Sequence, residues 1–293
     1  MNFLLPLDAR PHSQRSLDLL VRMFSLTGQR VLLLHVLEEP DPSLLLSDTT
    51  GSLEKTYALA SEASARDLLE MLSKTLSEAG AEVVIRVENG LPAGVIKSLV
   101  SAEQADMVVT SPGQHSPQDR MLSGTISSQL LRLDQPVTLV LARPIQPVES
   151  KAPAVFVLDG TEESVAALNR LAPAMNSSVP LVLLASTAGY RVEHAQTYLP
   201  PPEGASQQAP AQSRLETASR WLKEIELTHS CILTDKTIDE WLSDSTAMSA
   251  PGLITLARSR KDIIHRPLTG AHVEHLFLNA VSSSALYCAS SGL

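Results

Sequence analysis

One pattern occurs twice in this chain. Phe3-Leu4-Leu5-Pro6-Leu7 runs into Asp8, and Val155-Phe156-Val157-Leu158 runs into Asp159, half the chain later. A helical periodicity follows each run. A repeat unit this long, in 293 residues, calls for two whole domains rather than a solenoid of short units. The expected domains span 1–145 and 153–293, with Pro144, Pro147 and Pro153 marking the connection.

Strand and helix patterns alternate in each half. In the first, apolar runs at 2–7, 30–36, 81–87, 107–110 and 137–142 read as strands. Helical patterns lie at 13–27, 53–79, 93–104 and 125–133. Leu17, Leu20, Val21 and Phe24 stand at i, i+3, i+4 and i+7 in the first of these, and Gly28 follows it. The second half repeats the order, with strands at 154–158, 180–186, 228–233, 252–257 and 284–289. Its helices are expected at 162–175, 212–225, 237–247 and 270–280. Strands that are apolar throughout are covered on both faces, which implies an α/β fold with parallel sheets. The fold expected is therefore two doubly wound five-stranded parallel-sheet domains in one chain.

Charge excludes several function classes. A net charge of −9 leaves no basic excess to displace counterions from a phosphate backbone, so nucleic acid is not an expected partner. No apolar run approaches the roughly 20 residues of a membrane span. The start, MNFLLPLDARPHS, lacks a basic n-region and is read as a strand rather than a signal peptide. Cys231 and Cys288 lie in apolar strand runs and are expected as buried free thiols, which fits a reducing, cytoplasmic location.

Three features converge in the first half. Asp8 ends the first strand. Gly90-Leu91-Pro92-Ala93 follows the third strand and opens a helix. Asp106-Met107-Val108-Val109-Thr110 runs into Ser111-Pro112-Gly113, and Arg120-Met121-Leu122-Ser123-Gly124-Thr125 opens the last helix. This resembles the universal stress protein family in a tandem two-domain form. The resemblance implies strand order 3-2-1-4-5, with ligands bound where the order reverses, beyond the carboxyl ends of the first and fourth strands. The family's nucleotide-binding branch carries Gly-x2-Gly-x9-Gly-(Ser/Thr) there. Bare backbone can approach phosphate, and a helix amino terminus offers N–H groups to it. Here Thr110 holds the first glycine position, Gly113 the second, Gly124 the third and Thr125 the last. The gap 114–123 is one residue longer than the pattern. The resemblance further implies that Asp8 contacts base or ribose and that Val36 contacts adenine. ATP or AMP, with Mg2+ as an allowed companion, is the ligand it implies for the first half.

The second half keeps Asp159 and the spacing Ala257-x2-Arg260-x9-Gly270-Ala271, but not the glycines. A β-carbon and a long side chain replace open backbone, so no ATP is expected there. Arg260 could instead pair with a phosphate. His272 and His275 read as helix-surface histidines, and His35 as a hydrogen-bonded histidine at a strand end. His115, Asp119 and Arg120 read as a solvated loop, Ser123 as a helix cap, and Trp221 and Trp241 as packing. No Walker loop or nucleophilic triad is assembled by spacing. Three functions stay open: a nucleotide-holding stress regulator acting on a protein partner, a non-binding scaffold, and a slow ATPase. In the family the fifth strands of two domains pair antiparallel, so the resemblance implies that 137–142 and 284–289 pair within this chain as an intrachain pseudo-dimer, which would hide two exposed edges. Homodimerisation of whole chains is compatible with each function.

Overall fold

The computed structural model describes residues 1–7, 13–37, 52–111, 129–131, 137–143, 152–188, 208–243, 251–258, 273, 277 and 283–288. These fall into two compact units. The first comprises Met1–Val21 and Leu26–Leu133, and the second Arg22–Ser25 and Asp134–Leu293.

The first unit contains β1 (Asn2–Pro6), α1 (Ser13–Met23, whose last two residues belong to the second unit), β2 (Arg30–Leu37), α2 (Ser52–Glu78), β3 (Glu82–Asn89), α3 (Pro92–Ala102) and β4 (Met107–Thr110). Its strands run β3-β2-β1-β4, all parallel. Phe3, Leu4 and Leu5 are all buried, as the unbroken apolar run requires of a central strand. Leu17 and Leu20 of α1, and Leu69, Leu72 and Leu76 of α2, are buried along helical stripes.

Helix α1 stops at Met23, short of the 27 expected from periodicity. Phe24 instead forms an antiparallel bridge with Met175. The Ser25 N–H donates to the Ala174 carbonyl at 2.9 Å, and the Asn176 N–H to the Met23 carbonyl at 2.8 Å. Tertiary pairing has claimed these backbone groups from the helix.

The second unit holds β5 (Val137–Leu141), β6 (Ala154–Val157), α4 (Glu162–Leu171), a 3-10 turn (Ala172–Ala174), β7 (Leu181–Ser186), α5 (Gln208–Glu224), β8 (His229–Thr234), α6 (Ile238–Ser243), β9 (Leu253–Arg258) and β10 (Ser284–Cys288). The order β8-β7-β6-β9-β10 is 3-2-1-4-5, with parallel neighbours throughout. Strand β5 adds to β10 antiparallel, from Ser284 opposite Leu141 to Cys288 opposite Val137. Beyond β5, the Arg143 N–H donates to Ser283 Oγ at 3.0 Å and its guanidinium to the Phe277 carbonyl at 3.1 Å.

Cys231 corrects an expectation: it is an exposed free thiol, not a buried one. Strand β8 lies at the end of the order and pairs with β7 alone among the described residues. Its side chains are accordingly exposed or half-buried. An apolar run marks a strand but does not say whether the strand is central. The Cys288 side chain lies outside the described residues. Trp241 is buried and Trp221 half-buried, both as packing groups. Of the helices expected at 125–133 and 270–280, only residues 129–131, 273 and 277 are described.

Candidate functional site

Strand β1 sits between β2 and β4, so the chain order reverses beside it. Connections leave in opposite directions from such a point and open a crevice at the carboxyl ends of the strands. The ladder continues one rung past β1: the Leu7 N–H donates to the Leu34 carbonyl at 2.8 Å. His35 Nδ1 lies 2.9 Å from the Leu7 carbonyl. A carbonyl only accepts, so Nδ1 carries the hydrogen. That ring therefore fastens the residue immediately before Asp8.

Val36 follows on β2, half-buried and in register with Glu88. Thr110 ends β4 and is buried. Val36 is thus next to last on β2 and Thr110 last on β4, the strands on either side of β1. Asp8, Gly113, Gly124 and Thr125 lie outside the described residues, as do His115, Asp119, Arg120 and Ser123. At the third strand end, Gly90 adopts φ +136 and its N–H donates to the Leu37 carbonyl at 3.1 Å. Leu91 caps α3 with Pro92 in the first turn, where its missing N–H costs nothing.

The opposite end of the strands carries the charge network. Glu103, at the carboxyl end of α3, bonds Arg30 Nη1 at 2.8 Å and also pairs with Arg86. The Arg30 hydrogen bond, and then the Arg86 charge, hold the Glu103 carboxyl below the usual carboxylate range against partial burial. Asp106 accepts the Asn2 N–H at 2.7 Å at this same end. These groups organise the floor of the unit, away from the crevice.

The second unit repeats the crevice frame. Strand β6 lies between β7 and β9, and the Leu158 N–H donates to the Leu184 carbonyl at 2.8 Å, the same extra rung as in the first unit. The chemistry beyond it differs. Asp159 Oδ1 accepts from the Thr161 N–H at 3.0 Å and from Thr161 Oγ1 at 2.7 Å. Thr161 in turn caps α4, accepting the Ser164 N–H at 3.2 Å. The Arg214 guanidinium reaches over Gly160 from α5. One carboxylate oxygen is thereby committed to a local turn. Ala257 is buried on β9, while Arg260, Gly270, Ala271, His272 and His275 lie outside the described residues. Sequence spacing gave no sign of the Arg214 approach, because Gly160 and Arg214 are distant in the chain and meet only in the fold.

Residues 1–140 match the model of the universal stress protein family. Residues 1–140 form a universal stress protein domain. A universal stress protein from Archaeoglobus fulgidus DSM 4304 is similar over 99% of this chain and 97% of its own, at 14% identity and a TM-score of 0.63. A functionally unknown protein from Pseudomonas aeruginosa PAO1 is similar over 98% of this chain and 92% of its own, at 13% identity and a TM-score of 0.57. At these identities the likeness shows the fold, and it extends over both halves. No curated protein matches the chain. No described helix is long and apolar enough to cross a membrane.

Proposed function

We propose that the whole chain is a universal stress protein and acts as a regulator that holds ATP or AMP in the crevice of its first unit, with Mg2+ as a companion of the phosphates. Occupancy then biases its association with a protein partner. The observation that carries this reading is the position of Val36, next to last on β2, and of Thr110, last on β4, on the two strands that flank β1. In sequence Asp8 follows β1 after Leu7, and Gly113, Gly124 and Thr125 follow Thr110. Backbone N–H groups around such glycines suit a phosphate chain. The second unit is read as structural, since one oxygen of Asp159 is already engaged by Thr161.

Equilibrium binding of ATP and AMP to the full chain, with and without Mg2+, tests the reading. Saturable binding that is lost on Gly124→Val supports it. Absence of binding at millimolar nucleotide overturns it and leaves a scaffold. Unchanged binding in Gly124→Val overturns the placement. Phosphate release over hours, lost in Asp119→Ala, would make the protein a slow ATPase instead.

A further inference from the structure

A second group of reactive side chains lies on the far edge of the second unit, where α5 turns into β8. Ser219 Oγ stands 2.7 Å from His229 Nε2. His229 Nδ1 stands 2.9 Å from the Leu227 carbonyl. That carbonyl can only accept, so the hydrogen of a neutral imidazole resides on Nδ1 and Nε2 is left as the acceptor. The Ser219 hydroxyl then donates to Nε2. Nucleophile, base and orienting acceptor are thus aligned in the order that serine activation requires. Both residues are half-buried, and the hydrogen bond between them is partly shielded from solvent.

The turn that brings them together is tightly specified. The Leu227 N–H donates to the Leu222 carbonyl at 2.9 Å, and the Glu226 N–H to Lys223 at 3.1 Å. Glu226 takes φ +59, a left-handed conformation that non-glycine residues enter at a cost. Lys223 lies four residues after Ser219 on α5 and adds a positive charge on the same helical face.

We infer that Ser219 and His229 form a nucleophilic dyad that takes activated carboxylic esters, a class of chemistry separate from the nucleotide crevice. Ser219 Oγ forms a bond to the acyl carbon as its proton passes to His229 Nε2. The bond from acyl carbon to alkoxy oxygen breaks, and the alcohol leaves with that proton. Water then attacks the acyl-serine, gives its proton to Nε2, and the carboxylic acid departs as Ser219 is re-protonated. An imidazolium formed on the way keeps its Nδ1–H bond to Leu227. The inference does not depend on nucleotide binding.

The test uses full-length protein and an alkyl fluorophosphonate, which loses fluoride on attack by an activated serine. Intact mass and peptide mapping of the wild type should show one adduct, on Ser219. His229→Gln should slow labelling about 10²-fold or more, the ordinary contribution of a positioned base. Hydrolysis of p-nitrophenyl acetate should fall in parallel. An unlabelled wild type, or an adduct elsewhere, overturns the dyad and leaves Ser219 as a tether between helix and strand. Labelling at an unchanged rate in His229→Gln also overturns it. The modified position is read on wild-type protein, so a variant that fails to fold does not obscure the answer.

Discussion

Arg214 Nη1 lies 3.0 Å from the point where a β-carbon on Gly160 would stand. Gly160 itself holds φ +95, a region that other residues adopt only under strain. Gly160→Ala therefore meets two obstacles, one local to the backbone and one at the tip of a movable side chain. The expected loss is about 1–3 kcal/mol, most of it from the backbone. Urea melts should show it. Because the Arg214 tip can move, the same loss should persist when Gly160→Ala is made in an Arg214→Ala background. A loss that vanishes there would assign the strain to the guanidinium instead.

Thr161 serves both Asp159 and the first turn of α4. Thr161→Ala removes the cap on the Ser164 N–H and the two donations that Asp159 receives are reduced to one. The expected cost is about 1 kcal/mol, and Thr161→Ser should recover most of it. Thermal melts of the two variants provide the comparison.

Glu103 gives the first unit an acid-sensitive contact. Its folded carboxyl titrates below the ordinary value, chiefly through the Arg30 hydrogen bond. The stability it contributes is present above the unfolded carboxylate pKa, near about 4.3, and is lost as pH falls through the lower folded value. Arg30 and Arg86 are about a third exposed, which screens the network. Glu103→Gln should thus cost on the order of 1 kcal/mol at neutral pH. The gap from wild type should close in acid. A gap that widens on acidification would reverse the assigned sign.

His35 anchors the exit of β1. His35→Leu leaves the Leu7 carbonyl without its side-chain donor, at an expected cost of about 1 kcal/mol or somewhat more. If the bond also holds the approach to Asp8, ATP affinity should fall by more than stability alone predicts. Calorimetric titration beside a denaturant melt separates the two effects.

The α/β architecture was legible because central strands are apolar on both faces, as Leu32, Leu33 and Leu34 show by their burial. The same signal misled at Cys231, since an edge strand and a central strand share β-branched and apolar residues. It overran at Phe24, whose helical spacing is real but whose backbone pairs with Met175. Val36 is a candidate through the family resemblance and Thr110 through the loop spacing that follows it; β2 and β4, which carry them, both pair with β1. Ser219 and His229 carried no such mark. Their hydroxyl and imidazole meet through a turn whose geometry depends on Glu226, and no spacing rule announces that conformation. Arg214 over Gly160 is likewise a meeting of distant segments.

The union of β5 with β10 has a practical consequence for anyone dividing this polypeptide. Val137–Leu141 precedes residues 144–151 in the chain, yet it pairs with β10 and belongs to the second compact unit. Severing the backbone between 143 and 152 would therefore separate two ribbons that zip together. Co-expressed pieces should reconstitute without a covalent link, so the polypeptide is suited to complementation by fragments supplied from separate messages.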